Sequence, residues 1–338
     1  MPNPLYALNK TADAFDAVLA RLDDAFDRLR SKGLRDGPIA ALLLAPGLLI
    51  LGAFGIAPLL AALYMSLFDG KHGMGSFAGL ANYAEALTRA DFWNSVLVTL
   101  YYATGTIPAT MAISFAAAYG LHRAVRGRGF FRVLYFLPYV TSAVAAAMVW
   151  RALFNAQNGI ANLLLSYAGI PAQQWLLEPR GILHLITGGL VAPAIGPSLA
   201  LCCIIAFDVW HGSGFMIVIF LAGLSAIPRE LEEAARIDGA NSPQLIRRII
   251  VPLLSPTLFF LATVSTIRAF QAFNSFYALT DAGRTLGTTE NLILHIYANF
   301  YEYGYRGYGA AVAALLSAAI VLLTLVQWRY LGRKVHYS

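Results

Sequence analysis

The chain has 338 residues, 58% hydrophobic and only 12% charged, with a mean hydropathy of +0.62. A soluble domain carries about 25% charged residues, so composition excludes an ordinary water-soluble globule and indicates an integral membrane protein. The formal charge of +6 does not gather into one basic face and follows membrane sidedness instead, which argues against a nucleic-acid partner.

The first segment, 1–36, is read as cytoplasmic and not as a secretory signal. Between Asp13 and Arg30, Phe15, Val18, Leu19, Leu22, Phe26 and Leu29 recur at helical spacing and predict an amphipathic helix. Its polar face mixes five Asp with three Arg, which disfavours strong attraction to anionic lipid. The helix lies at the cytoplasmic interface or docks on a partner; a solvated lead-in to the first span is the other reading.

A spanning helix needs about 20 apolar residues. Stretches free of Asp, Glu, Lys and Arg run from Gly37 to Phe68, Phe92 to Leu121, Val133 to Trp150, Ile249 to Ile267 and Gly307 to Trp328; the stretch from Gly181 to Pro228 holds a single charge, Asp208. Backbone groups in lipid must bond internally, and no strand-like alternation is present, so these stretches are predicted helices. Charge sidedness sets the number. Segments 1–38, 122–132, 225–248 and 329–338 hold 6, 4, 4 and 3 Lys and Arg, 17 in all, against 6 in segments 68–92, 151–181 and 280–308. Six spans with both termini cytoplasmic satisfy the positive-inside rule, whereas a second span within 181–228 would put the Arg-rich 225–248 segment outside. The predicted fold is therefore an all-α membrane protein of about six transmembrane helices. Its membrane domain covers 37–332 and a cytoplasmic tail 333–338, with 181–195 placed outside or as a re-entrant piece. Cys202 and Cys203 are adjacent in an apolar stretch and read as packing residues, with neither disulfide nor metal-ligand spacing. His184, His211 and His295 are scattered, so no metal site is read from them.

The loop between spans four and five, 225–252, carries the most information. Pro228 suits a helix start, with Glu230, Glu232 and Glu233 at the positive end of the helix dipole. The helix should stop near Asp238-Gly239, where glycine permits a left-handed turn, and Asn241 or Ser242 should cap a second helix with Pro243 at its first position. Two short helices with a sharp bend make a rigid hairpin suited to docking in a partner's groove.

Glu233-Ala234-Ala235, three residues, Gly239, nine residues and then Ile249-Ile250-Val251-Pro252 resembles the EAA loop of ABC importer permeases, with Val251-Pro252 where the family pattern has Leu-Pro. The resemblance extends over most of the chain from about residue 40. It takes in Phe77 to Tyr83, Phe131 to Asn155 with Gly159 and Asn162, Thr280-Asp281-Ala282-Gly283 without the following Pro, and Val326 to Tyr337. The last segment is similar to endings in the branch importing sugars and glycerol 3-phosphate. The N-terminal amphipathic helix and the 181–195 insertion depart from the pattern.

The resemblance implies a permease subunit in the bacterial cytoplasmic membrane. Glu233, Ala234, Ala235, Asp238 and Gly239 would couple it to an ATP-binding subunit. The implied partners are a second permease, two ATP-binding subunits holding ATP and Mg, and an external solute-binding protein. This chain would bind no cofactor and have no catalytic residue. The only lysines, Lys10, Lys32, Lys71 and Lys334, lie outside any phosphate-binding Gly-rich loop. An ion-gradient-driven secondary transporter is the alternative class, and a non-transporting scaffold a third; the former predicts internal repeats, broken helices and midplane carboxylates.

Ionisable groups inside spans are costly and often functional. Asp208 falls in span four and Arg268 in span five, with Gln271 and Asn274 at i+3 and i+6 and Tyr277 beyond. One reading lines the translocation path with Arg268, Gln271 and Asn274, Arg268 holding a phosphate or carboxylate. The other makes Asp208 and Arg268 a pair that locks two helices. Trp150, Trp210, Phe273 and Tyr277 could supply aromatic surfaces or interfacial anchors.

Overall fold

The computed structural model describes residues 36–70, 75–123, 127–280, 287–330 and 332. The helix expected at 13–30, residues 281–283 of the Thr280 motif and the tail 333–338 lie outside them. The chain divides into two compact units, Met1–Ala62 and Leu63–Ser338.

The first unit contributes α1 (Asp36–Leu51) and a π turn at Gly52–Ile56, followed by α2 (Ala57–Met65). Leu43–Met65 is long and apolar enough to cross a membrane. Its apolar side chains, such as Leu49 and Phe54, are exposed, as suits lipid.

In the second unit, Asn82 at the start of α3 (Ala81–Thr88) is buried and donates to the Ser66 and Phe68 carbonyls at 2.8 and 2.9 Å. Span two is α4 (Ala90–Arg123). Next come α5 (Arg128–Val140) and α6 (Ala143–Leu153), then the short α7 (Ile160–Tyr167) and α8 (Ile182–Ile186). Span four is α9 (Leu199–Ser225), capped by Ser198. The hairpin holds α10 (Arg229–Ile237) and α11 (Ser242–Leu245), and a π turn at Ile246–Ile250 leads into α12 (Val251–Leu253). Then follow α13 (Ser255–Phe270), α14 (Asn274–Leu279), α15 (Leu292–Tyr297), a π turn at Ala298–Glu302 and span six, α16 (Arg306–Tyr330). Among the described residues, four helices are long and apolar enough to span, or up to six if each of two bent helix pairs is one span. The chain is thus an all-α membrane protein, and its described residues hold only isolated bridges outside the helices.

Two predicted spans are not single rods. The stretch Val133–Trp150 breaks between α5 and α6, whose axes turn by 93°. At the break, the Thr141 hydroxyl donates to the Pro138 carbonyl at 2.6 Å, Thr141 is extended and Ser142 lies outside the helical region. A short polar side chain has replaced a helical partner, which apolar composition does not register. Span five bends by 73° at Leu254, between Pro252 and Pro256. Its Ile249–Leu253 part belongs to the arm descending from the hairpin and not to the straight segment α13.

The 181–195 insertion is a small folded loop. Gly181 bridges to Ser198, and α8 sits inside the closure. Arg180 clasps the buried Glu178 with two bonds of 2.7 Å. The guanidinium contacts hold the Glu178 carboxyl below its ordinary range, burial partly opposing them.

Two cores organise this unit. One joins Phe92 and Tyr102 of α4, Ile204 and Phe207 of α9, Phe276 of α14 and Val312 of α16. The other joins Ala118 and Leu121 of α4, Phe220 and Leu224 of α9, Leu254 and Leu261 beside the bend, and Ala235 and Leu245 of the hairpin. The hairpin is thus bolted to the spans at its base.

Candidate functional sites

The first site is the hairpin. Pro228 stands at the N-cap of α10, with Glu230 and Glu232 in its first turn. The C-terminus closes as a Schellman motif: Gly239 N–H donates to the Arg236 carbonyl at 3.0 Å and Ala240 N–H to the Ala235 carbonyl at 2.9 Å, with Gly239 at φ +83°. Ala240 and Ala235 meet in the second core, the apolar contact that accompanies this turn. Of the two expected caps, Asn241 is the one used. Its side chain accepts from Gln244 N–H at 3.0 Å, and the Gln244 side chain accepts from Asn241 N–H at 2.9 Å. This is a reciprocal capping box. Asn241→Ala should cost about 1 kcal/mol of local stability, speeding hydrogen exchange at the Asn241 and Gln244 amides about fivefold. Unchanged exchange would mean that the second helix does not depend on its cap.

The five residues singled out in this loop divide by exposure. Ala235 is buried at 7% and anchors the base, whereas Glu233, Ala234, Asp238 and Gly239 are exposed. Sequence reasoning passed over Leu231 and Ile237, exposed at 44% and 87%. An isoleucine that open on a polar loop helix is the apolar tip a docking element would present, and its place just before the Gly239 turn was readable in the sequence.

The second site is a cavity of about 530 Å³ within the bundle. It is lined by Tyr102, Thr106 and Thr110 of α4, Tyr139 of α5, and Asp208, His211 and Phe215 of α9. Arg268 of α13 and Gln271 to Ser275 complete it. Gly214 permits the close crossing of α9 and α5, since a Cβ there would collide with the Tyr135 carbonyl. That crossing brings Tyr139 against Phe215, their rings stacked at 5.3 Å.

Arg268, Gln271, Asn274 and Asp208 all line this cavity, but not by the expected route. α13 ends at Phe270, Gln271 is its C-cap, and Asn274 opens α14. The three residues therefore meet at a helix break and not along one continuous face. Tyr277 stands apart from the lining, half-exposed and stacked on Phe273 with Tyr297 edge-on. Asp208 and Arg268 do not pair with each other. Tyr102 donates to Asp208 Oδ2 at 2.7 Å, and Arg268 donates to the Tyr139 hydroxyl at 3.0 Å. The guanidinium carbon also lies 5.6 and 5.1 Å from the Tyr139 and Phe215 ring centroids. The cation is thus held by aromatic faces, leaving N–H groups for a further acceptor. Trp150 and Trp210 pack on each other and on Phe207 instead of lining the cavity.

Tyr102, Tyr139, His211, Phe215 and Ser275 were not anticipated as lining residues. For α4 a signal existed: Tyr102, Thr106 and Thr110 recur every fourth residue in an apolar span, which is one polar stripe. The histidines have separate surroundings. His184 Nδ1 lies 2.6 Å from the Val191 carbonyl, and His211 Nε2 lies 3.4 Å from that of Thr141. His295 sits between Glu290 and the Tyr308 hydroxyl at 2.8 and 3.1 Å.

A helical bundle with a polar cavity at its helix breaks and a rigid hairpin outside defines a polytopic membrane transport component. Residues 109–337 match the family described as binding-protein-dependent transport system inner membrane component. The chain belongs to that family. It is 32% identical over 300 residues to the sn-glycerol-3-phosphate transport system permease protein UgpA of Agrobacterium fabrum, covering 88% of this chain and 96% of that protein. It is 29% identical over 294 residues to the trehalose/maltose transport system permease protein MalF of Thermococcus litoralis, covering 86% and 93%. A chain of the crystal structure of a bacterial ABC transporter that imports the acidic polysaccharide alginate shares the fold. Its TM-score is 0.72 at 18% identity, over 90% of this chain and 99% of that one.

Proposed function

We propose that this chain is one membrane-spanning permease subunit of an ATP-driven importer for a sugar-type solute, including polyol phosphates such as glycerol 3-phosphate. The observation that carries this reading is a continuous arm. The hairpin α10–α11 runs through the π turn at Ile246–Ile250 and the 73° bend into α13, which delivers Arg268 to the cavity. A push on the hairpin therefore has a covalent route to the cavity wall.

In this mechanism the hairpin, with Ile237 and Ala234 exposed, docks in an ATP-binding subunit that holds ATP and Mg. Closure of two such subunits draws the hairpins of this chain and a second permease together. The bundle then opens outward to take solute from a binding protein. This reading puts the hairpin and both termini on the cytoplasmic side, which the Lys and Arg distribution supports. In the cavity, Gln271, Asn274 and the Asp208–Tyr102 pair offer hydrogen bonds to hydroxyls, and Arg268 offers charge-assisted bonds to an anionic group. The relatives named for glycerol 3-phosphate and for trehalose and maltose support this range of solutes.

The test is ATPase activity of the reconstituted complex, with solute-loaded binding protein presented from a panel of sugars and glycerol 3-phosphate. Stimulation by one solute is the expected result. Uptake that follows an imposed ion gradient and ignores ATP would replace this reading with secondary transport.

A further inference from the structure

At the hairpin end of the bundle, a second cavity of about 190 Å³ opens between the end of α4, the start of α5 and the end of α9. It is lined by Leu121, His122, Gly129, Arg132, Leu221 and Ser225. The floor is apolar: Leu121 and Leu221 are buried members of the core that also holds Ala235 and Leu245 of the hairpin. The rim is polar, and among the described residues no carboxylate lines it. Ser225 gives its proton to the Leu221 carbonyl at 2.7 Å, so its oxygen is free to accept. In the sequence, the run 122–132, from which His122, Gly129 and Arg132 line the pocket, carries four arginines and no Asp or Glu. A Cβ on Gly129 would meet nothing within 4 Å, so the mouth is open there. Beyond the rim, α5 exposes Phe130, Phe131, Val133, Leu134 and Leu137.

We infer that this pocket holds the headgroup of an anionic phospholipid of the cytoplasmic leaflet, its acyl chains lying along the exposed apolar side chains of α5. The reasoning is from chemistry. A pocket of about 190 Å³ has room for roughly six waters at liquid density, enough for a phosphodiester. Arg132 supplies the donors such a group needs, and basic pockets between spans on this membrane side suit lipid phosphates. Ser225 as an acceptor suits a headgroup that carries a hydroxyl, as phosphatidylglycerol does. Free phosphate would use the rim and leave the apolar track of α5 without purpose. A phospholipid uses both.

The experiment is native mass spectrometry of the full transporter complex released from nanodiscs of equal phosphatidylglycerol and phosphatidylcholine. The wild type should retain phosphatidylglycerol in preference. Arg132→Gln should cut that retention about tenfold, as loss of a charge-assisted bond does, and Ser225→Leu, which fills the pocket, should do the same without changing charge. Arg329→Gln, an exposed arginine at the end of α16, should leave retention intact and so separate a pocket from general basicity. Excess inorganic phosphate should not displace the lipid. Equal retention of the two lipids, or unchanged retention in both pocket variants, would overturn the inference. Displacement by phosphate would assign the rim to a free anion instead.

Discussion

Gly239→Pro should abolish solute-stimulated ATP hydrolysis, reducing it at least tenfold to the basal rate, while the assembled complex still hydrolyses ATP slowly. Gly239 sits at φ +83° and donates to the Arg236 carbonyl. Proline is confined near φ −65° and has no N–H, so the substitution breaks both conditions of the Schellman turn. The two helices of the hairpin then lose their fixed angle, although the base anchored by Ala235 and Leu245 stays buried. Gly239→Ala grades the effect. A Cβ there meets open space, so the penalty is only that of a left-handed residue, about 1–2 kcal/mol, and stimulation should fall partially. Measuring basal and stimulated hydrolysis on the same preparation separates coupling from assembly. Full stimulation in Gly239→Pro would mean that the angle between the helices is not what transmits closure.

The second large effect is expected at Arg268. Arg268→Ala should lower uptake of an anionic solute about a hundredfold, since a charge-assisted bond at such a site contributes about 3 kcal/mol. Complex yield and basal hydrolysis should be unchanged. The guanidinium lies in the cavity with aromatic rings for neighbours and no carboxylate partner. Its removal therefore breaks no ion pair, Asp208 being bonded to Tyr102 instead, and the packing of Tyr139 on Phe215 persists. Arg268→Lys keeps the charge and loses the planar fork, so intermediate uptake is expected. Uptake at the wild-type rate in Arg268→Ala would remove Arg268 from the solute path and leave Gln271, Asn274 and Asp208 as its polar contacts.

Much of the bundle was legible because lipid imposes simple rules. Spans two and six were expected at Phe92–Leu121 and Gly307–Trp328, and they run Ala90–Arg123 and Arg306–Tyr330. Polar residues mark where a helix leaves the hydrocarbon, so charge-free runs locate it to within a turn. The hairpin was legible for a different reason. Pro228, Gly239, Asn241 and Pro243 act locally, each setting a dihedral or satisfying a backbone group within a few residues. The cavity was legible only in part. Asp208 and Arg268 are conspicuous as charges in apolar runs, but their spacing in the chain does not say whether they pair; Tyr102 and Tyr139 are their partners instead.

The sequence by itself therefore determined the membrane class, the all-helical build and the hairpin's turn, because burial in lipid and local backbone chemistry depend on residues close together in the chain. Tertiary structure decided how far spans three and five bend at their prolines, and it alone decided the break that gathers Arg268, Gln271 and Asn274 and the aromatic clamp on the guanidinium. A helix can break only where other elements satisfy the freed backbone groups and accept the new direction. That condition is met by residues such as His211 and Gly214, 70 and 79 positions away from Thr141 and Tyr135, so the hydropathy of the broken segment carries no trace of it.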